Sequence, residues 1–274
     1  MLIDSHCHLH DREFFDEKQA EEMIDRAHKN GVEKIICIGT SHDDSLAARD
    51  FANVHDGVYW TYGIHPSKTA SVSGSSFSLF ENMSRTASWL SESEPPVKTG
   101  GRTGSKKEKN TANRPVAIGE VGLDYHYEGY SRDAEIKLFE QMLQLAKDHD
   151  LPLSFHVREA FDDFFAVVEN FPKIKGVVHS FSDNKKNLKR ILNETDFYVG
   201  INGMATYSTL PTPPLERILL ETDAPFLTPV PFRGIINEPA YIRNIANWLS
   251  EKLAKDSLII EEETTKNVRK LFKI

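Results

Sequence analysis

Cysteine is almost missing from this chain. Of 274 residues only Cys7 and Cys37 carry thiols, and they fall in separate predicted strands, so neither a disulfide framework nor a CxxC metal site is expected. Long apolar runs are missing too: none approaches the roughly 20 residues that a bilayer span needs. The first residues lead directly into a predicted strand, without a basic region, an apolar signal core or a cleavage motif. The expectation is a soluble, cytoplasmic protein of a reducing compartment, with no membrane contact and no obligate protein partner. An excess of positive charge is also lacking. With 33 Lys and Arg against 41 Asp and Glu, the formal charge is −8, which excludes a broad basic face that coats nucleic acid. An enzyme that meets phosphates locally is not excluded, because two bound divalent ions would bring four positive charges to the place where substrate arrives. No GxGxxG turn follows the first strand and no GxxxxGK[ST] occurs, which removes the main signals of dinucleotide and P-loop chemistry.

What is present is a rhythm. Apolar runs at 2–6, 33–39, 57–63, 115–119, 152–157, 175–179, 196–201 and 218–222 read as buried parallel strands. Helical patterns at 17–30, 43–54, 76–91, 131–149, 160–170, 184–194, 238–255 and 260–272 lie between or after them, while 211–217 is too short for a helix. Eight strands in βα alternation predict an α/β fold of the (β/α)8 TIM-barrel type. Hydrophobic residues at 39% and charged residues at 27% suit one sizeable core, and residues 1–274 are read as a single domain. Residues 92–114, rich in Lys, Gly, Thr and Pro and nearly devoid of apolar side chains, predict a mobile polar insertion. Its six Lys or Arg allow a tether for nucleic acid. Its position after a helix and before a strand favours a plain solvated loop on the barrel face away from an active site.

Chemistry gathers where the predicted strands end. His6 and His8 close the first, Glu120 the fourth, His156 the fifth, His179 the sixth and Asp223 the eighth. A parallel barrel would collect all six at one rim. Four neutral imidazoles and two carboxylates suit two borderline divalent cations, with a carboxylate available to bridge them. His6 and His8 alternate along one strand and therefore point the same way. Asp4 shares that side by the same count, and is expected either to support the second nitrogen of a ligand imidazole or to make an ordinary strand-end hydrogen bond.

With these residues in place the sequence resembles the TatD family of metal-dependent deoxyribonucleases, TatD-like hydrolases within the amidohydrolase-like barrels. The resemblance runs through DSHCHL (4–9), GIHP (63–66), IGEVGLDY (118–125), HVREA (156–160), VVHSFS (177–182), LLETDAPFLTP (219–229) and RGIINEPAY (233–241). It covers nearly the whole chain apart from 71–114. It implies that His6, His8 and Asp223 bind one cation, that His156 and His179 bind the other, and that Glu120 bridges both. It further implies two divalent cations per chain (Mg, Mn or Zn), DNA as substrate, and a deoxyribonuclease acting as a 3′–5′ exonuclease on single-stranded ends, in the service of DNA repair. Three motifs depart from the family pattern: Ser67 stands where a second histidine often follows GIHP, Ser180 and Asp183 stand in HSFSD, and Ile235-Ile236 replaces a basic pair. These losses thin the positive, polar lining of the mouth.

Asp223 and Glu120 are the residues expected to act in catalysis, with Asp223 both ligating and accepting a proton from water. Arg158, two positions after His156, can fork onto a substrate phosphate or pair with Asp124 or Glu159. Asp124 can pin that arginine or an imidazole. His65 and Tyr125 face the mouth as candidate substrate contacts; His65 is readable also as a support for the ligands, or as a satisfied structural histidine. Tyr125, Phe181 and Phe226 can stack terminal bases, or, for the two phenylalanines, pack into the core. Glu238 is expected to fix a loop, and His10, His28, His42, His55 and His149 to be surface residues. A dinuclear site hydrolyses a carbonyl as readily as a phosphoryl group. An ester or amide hydrolase, such as a D-aminoacyl-tRNA deacylase, is therefore the alternative enzyme, and a zinc-binding scaffold the alternative from another class.

Overall fold

Every apolar run becomes a strand. In this computed structural model, which describes residues 1–69 and 114–274, the strands are β1 (Leu2–Cys7), β2 (Val32–Cys37), β3 (Val58–Tyr62), β4 (Ala117–Asp124), β5 (Leu153–Arg158), β6 (Gly176–Val178), β7 (Tyr198–Ile201) and β8 (Ile218–Leu220). All pair in parallel in the order of the chain. Helices α1 (Glu17–Lys29), α2 (His42–Val54), α3 (Arg132–Asp148), α4 (Phe161–Val168), α5 (Lys185–Glu194), α6 (Ile242–Leu253) and α7 (Ser257–Phe272) cover the outside, giving a nearly closed TIM barrel. Capping explains several starts. The Asp16 side chain accepts from the Gln19 N–H while the Gln19 side chain returns to the Asp16 N–H, satisfying two donors that a first helical turn leaves open. The Asn184 side chain caps α5 by accepting from the N–H groups of Lys186 and Asn187.

The seam between β1 and β8 is stitched rather than laddered. Asp223 N–H donates to His6 C=O (2.8 Å) and His8 N–H to Ala224 C=O (2.7 Å). Below them the Ser5 hydroxyl donates to Leu220 C=O (2.9 Å), and Asp4 accepts from the Thr222 backbone and hydroxyl. The register of β1 on β2 shifts between Asp4 and Cys7, so the simple alternation that would aim Asp4 at an imidazole does not hold. Its carboxylate makes the strand-end hydrogen bonds instead.

Strand alternation sorts the apolar residues into two sets. Ile3, Ile36, Val177, Tyr198 and Leu219 join Val268, Leu271 and Phe272 of α7 in one cluster. Their neighbours Leu2, Ile35, Val178 and Leu220 belong to the larger one with the helices. Ile3, Val177 and Leu219 precede His6, His179 and Asp223 on their own strands, so the first cluster lies beneath the polar centre as a dry floor.

Some expectations shift. The fourth strand begins at Ala117, not 115, and runs on to Asp124, with an irregularity in its pairing to β5 between Ile118 and Val121. Glu120 thus sits inside a strand, not at its end. The segment 211–217 holds only a 3₁₀ turn, Leu215–Arg217. The helical pattern at 76–91 and the polar segment 92–113 lie outside the described residues. His10 is not a surface residue: it is 1% exposed and its Nε2 meets Asp44 at 3.0 Å. Cys7 and Cys37 are both buried and free, and face each other in the β1–β2 register.

Candidate metal centre

The barrel brings all six predicted ligands together on the side where its strands end, with Glu120 reaching the group from inside β4. Glu120 lies at the centre and divides its two oxygens. Oε1 is 2.8 Å from both His156 Nδ1 and His179 Nε2. Oε2 lies 3.6 Å from His6 Nε2 and 3.9 Å from His8 Nε2. Asp223 Oδ1 faces the second pair, 3.6 Å from His6 and 3.5 Å from His8. Overlapping groups of three donors, His6/His8/Glu120, His6/His179/Asp223 and Glu120/His156/His179, each bring their ligating atoms within 4.8 Å of one another. His6 Nε2 is fully buried and aimed into this cluster without a hydrogen-bond partner among the described residues. A buried lone pair left without a donor is what a cation would satisfy. The residues fit metal ions.

The outward nitrogen of each imidazole faces a different group, and three of the four make a hydrogen bond. His8 Nδ1 lies 3.1 Å from Ile38 C=O, which can only accept, so the proton is on Nδ1 and Nε2 is left free to ligate. His6 Nδ1 is 3.3 Å from the Ser154 hydroxyl, and His156 Nε2 is 3.0 Å from Asp124. His179 Nδ1 faces Glu221 at 3.8 Å. Such outer partners fix ring orientation and ligand basicity. Ser154 and Glu221 escaped the sequence reading. Glu221 did leave a signal, a charged residue at the end of the buried run LLE, two positions before Asp223.

Charge in the cluster is uneven. Burial works to raise the carboxyl of Glu120, but His179, His65 and His156 hold it well below the usual range, and the imidazoles beside Asp223 lower it in the same way. Both carboxylates are ionised. Asp4 and Glu221 have no such neighbours in number, and burial pushes them up to about 7 and about 8. His6, desolvated and beside His179, falls to about 4. Burial pulls His156 down as well, yet Asp124 and Glu120 outweigh it and raise the ring to about 9.

That value sets an expected result. A ligating imidazole must be neutral, so loading metal between pH 7 and 8 displaces about one proton from His156. Metal affinity should rise with pH and level off above about 9. Because the folded value of this ring exceeds the unfolded one near 6.5, its contribution to metal-free stability is full below 6.5 and is lost as pH rises through 9. Titration calorimetry in two buffers of unlike ionisation enthalpy counts the protons. Identical heats in both buffers would mean that His156 is already neutral.

The remaining predicted residues occupy the rim. His65 Nε2 lies 3.6 Å from Glu120 Oε1, and its Nδ1 accepts from the Ser67 N–H at 3.1 Å. It stands beside the central carboxylate, close enough to join the ligands. Asp124 pins the His156 imidazole and not Arg158, whose guanidinium instead lies 5.4 Å over the Tyr127 ring. The Tyr125 hydroxyl donates to Asp163 (2.8 Å) and its ring stacks on Tyr130, so it braces the rim and does not point at the cluster. Glu238 grips Arg26 through two nitrogens, fixing the loop after β8 as expected. Phe181 is buried in the core.

Comparison with known proteins gives the family. The model of the family described as TatD related DNase matches residues 3–273. The chain belongs to the TatD family of metal-dependent hydrolases. The uncharacterized metal-dependent hydrolase YabD of Bacillus subtilis is 29% identical over 283 residues, covering all of both chains. The 3′-5′ ssDNA/RNA exonuclease TatD of Klebsiella pneumoniae is 29% identical over 268 residues, covering 93% of this chain and 92% of its own. Among solved structures, the TatD homologue YjjV of Escherichia coli superposes with a TM-score of 0.82 at 26% identity, covering 100% of this chain and 98% of its own. Among the described residues of this TatD-family chain, no helix is long and apolar enough to cross a membrane.

Proposed function

We propose that the chain is a two-metal phosphodiesterase that trims single-stranded DNA from its 3′ end. One observation carries the metal count: the two oxygens of Glu120 face two separate imidazole pairs, His6/His8 and His156/His179, as a bridging carboxylate would. In this reading His6, His8 and Asp223 hold one divalent cation, His156 and His179 the other, and Glu120 both. Bound there, the cations supply Lewis acidity that makes water nucleophilic near neutral pH and neutralises charge on a phosphoryl group. The protein does the rest. Asp223, ionised and 9% exposed at the mouth, takes up the proton that attacking water releases. Asp124, Ser154 and Ile38 C=O keep three imidazoles in orientation, and the Glu221 carboxyl stands 3.8 Å from the fourth. Arg158 sits at the rim, where its guanidinium lies over the Tyr127 ring and donates one N–H to the Tyr127 hydroxyl at 3.3 Å, leaving its other N–H groups for the oxygens of a phosphate.

Single strands are favoured over duplex for a geometric reason. A centre at the foot of a barrel mouth admits a loose chain end, whereas a duplex is a rigid rod about 20 Å wide. The formal charge of −8 offers little to grip duplex phosphates. The relatives whose printed name specifies a 3′-5′ ssDNA/RNA exonuclease support the same direction of cutting. The test compares end-labelled single strands with a closed circle of equal sequence, with Mg²⁺, Mn²⁺ and Zn²⁺ in turn. Stepwise loss of 3′ nucleotides with an intact circle is expected. Rapid cutting of the circle would overturn the exonuclease reading. Inertness toward both, with release of amino acid from a D-aminoacyl-tRNA, would transfer the site to ester hydrolysis.

A further inference from the structure

The exposed apolar surface of this protein is not scattered. Among the described residues twelve large hydrophobic side chains are exposed, and eight of them lie on loops that follow strand ends, around the mouth of the barrel. They include all five exposed aromatics: Phe14, Tyr127, Tyr130, Tyr207 and Phe226. Apolar rings on one rim, in an otherwise charged surface, mark a binding face.

Phe226 is the member tied most directly to the metal centre. Its N–H donates to Asp223 C=O at 2.8 Å, so one turn fixes both the ligand and the ring. The ring is 46% exposed, stands 6.3 Å from the His8 imidazole, and is braced by Phe14 at 5.3 Å with the planes 83° apart. An edge-to-face contact of this kind covers at most one face of the Phe226 ring. Elsewhere on the rim two guanidinium groups lie over aromatic rings, Arg158 over Tyr127 at 5.4 Å and Arg233 over Tyr207 at 3.7 Å. Flat aromatic faces interleaved with cations beside a phosphate-handling centre are the surface that unpaired nucleobases recognise. An anionic bilayer would instead require a basic surface, which a chain of charge −8 does not supply.

We propose that Phe226, braced by Phe14, is a stacking platform for one unpaired base of a nucleic-acid strand whose adjoining phosphate reaches the metal centre, and that this platform selects frayed ends over paired ones. The inference rests on the phosphodiester reading of the site. A base inside a duplex has both faces occupied by its neighbours. A free end can exchange one of those partners for the phenyl ring, so the selection needs no sequence-specific contact.

The probe is a single-stranded oligonucleotide with 2-aminopurine at its last or penultimate 3′ position and phosphorothioate linkages that block cutting. Stacking on Phe226 should quench its fluorescence. Phe226→Ala should weaken binding by roughly tenfold and lose the quench, while Phe226→Trp keeps both. The ring is half exposed, so truncation should leave the melting temperature near that of wild type. With cleavable DNA, Phe226→Ala should raise KM by a similar factor, and the difference from wild type should vanish on a strand whose terminal nucleotide lacks its base. A wild type that cleaves DNA but neither quenches the probe nor distinguishes the baseless end overturns the platform and leaves the nuclease standing. A wild type that neither binds nor cleaves overturns both. If Phe226→Ala instead converts a dimer to a monomer in sedimentation with the quench unchanged, the ring belongs to a subunit interface and the proposal falls.

Discussion

Glu120→Gln should reduce turnover by about 10³-fold or more while the barrel stays folded, a loss of roughly 4 kcal/mol of transition-state stabilisation. Glu120 is 4% exposed and its two oxygens are shared between opposite halves of the centre. Glutamine has the same shape, so packing survives. It offers one oxygen and an NH₂, and whichever way the amide turns, one imidazole pair meets a donor where it had an anion. The chain should then retain at most one tightly held ion. The metal-free variant carries a second signature: Glu120 helps raise His156 to about 9, so losing it lowers that ring and reduces the protons released on loading. Metal stoichiometry, kcat and proton release on one preparation make the check. Two bound ions with near-normal turnover would remove Glu120 from its bridging role.

The barrel was legible because its periodicities are local. Eight apolar runs separated by amphipathic helical patterns can close only a few ways, and histidines at the ends of such runs have no route to a core partner except each other. The six candidate ligands His6, His8, Glu120, His156, His179 and Asp223 could therefore be named before any coordinates. Glu120 was named with them, as the residue ending the fourth apolar run, but its place inside β4 was not legible, because the strand runs on to Asp124 through an irregular pairing between Ile118 and Val121 that no composition encodes. His10 was misplaced for a related reason. Its burial depends on Asp44, 34 residues away and brought beside it by the β1–β2 pairing. Of the two partners left open for Asp4, an imidazole or a strand-end hydrogen bond, the register shift in β1 goes with the second. Phe226 lay between stacking and core packing until the turn at Asp223 placed its ring outside. Each miss concerns a partner distant in sequence, or a strand that departs from period two.

Gly122→Ala should lower the melting temperature by about 10 °C, from a loss of about 3 kcal/mol or more, and strip metal from the His156/His179 side. Gly122 pairs with His156 across β4 and β5, with φ at +148°. A methyl group built on it would lie 2.0 Å from the His156 carbonyl oxygen and 2.9 Å from its carbonyl carbon. Backbone cannot rotate away as a side chain can, so the two strands must part. Glu120 lies two residues before the clash, Asp124 two after it, and His156 opposite, so the bond from Asp124 to His156 at 3.0 Å and the contact from Glu120 to the same ring at 2.8 Å open together. Gly129 is the control. It also has a positive φ, +84°, but no atom lies within 4 Å of an added methyl group, so Gly129→Ala pays only the backbone penalty of about 1 kcal/mol. Thermal melts of both variants, with and without metal, separate strain from collision. If the two substitutions lower the melting temperature equally, and both still load metal as the wild type does, the close approach of β4 to β5 is not what holds the centre together.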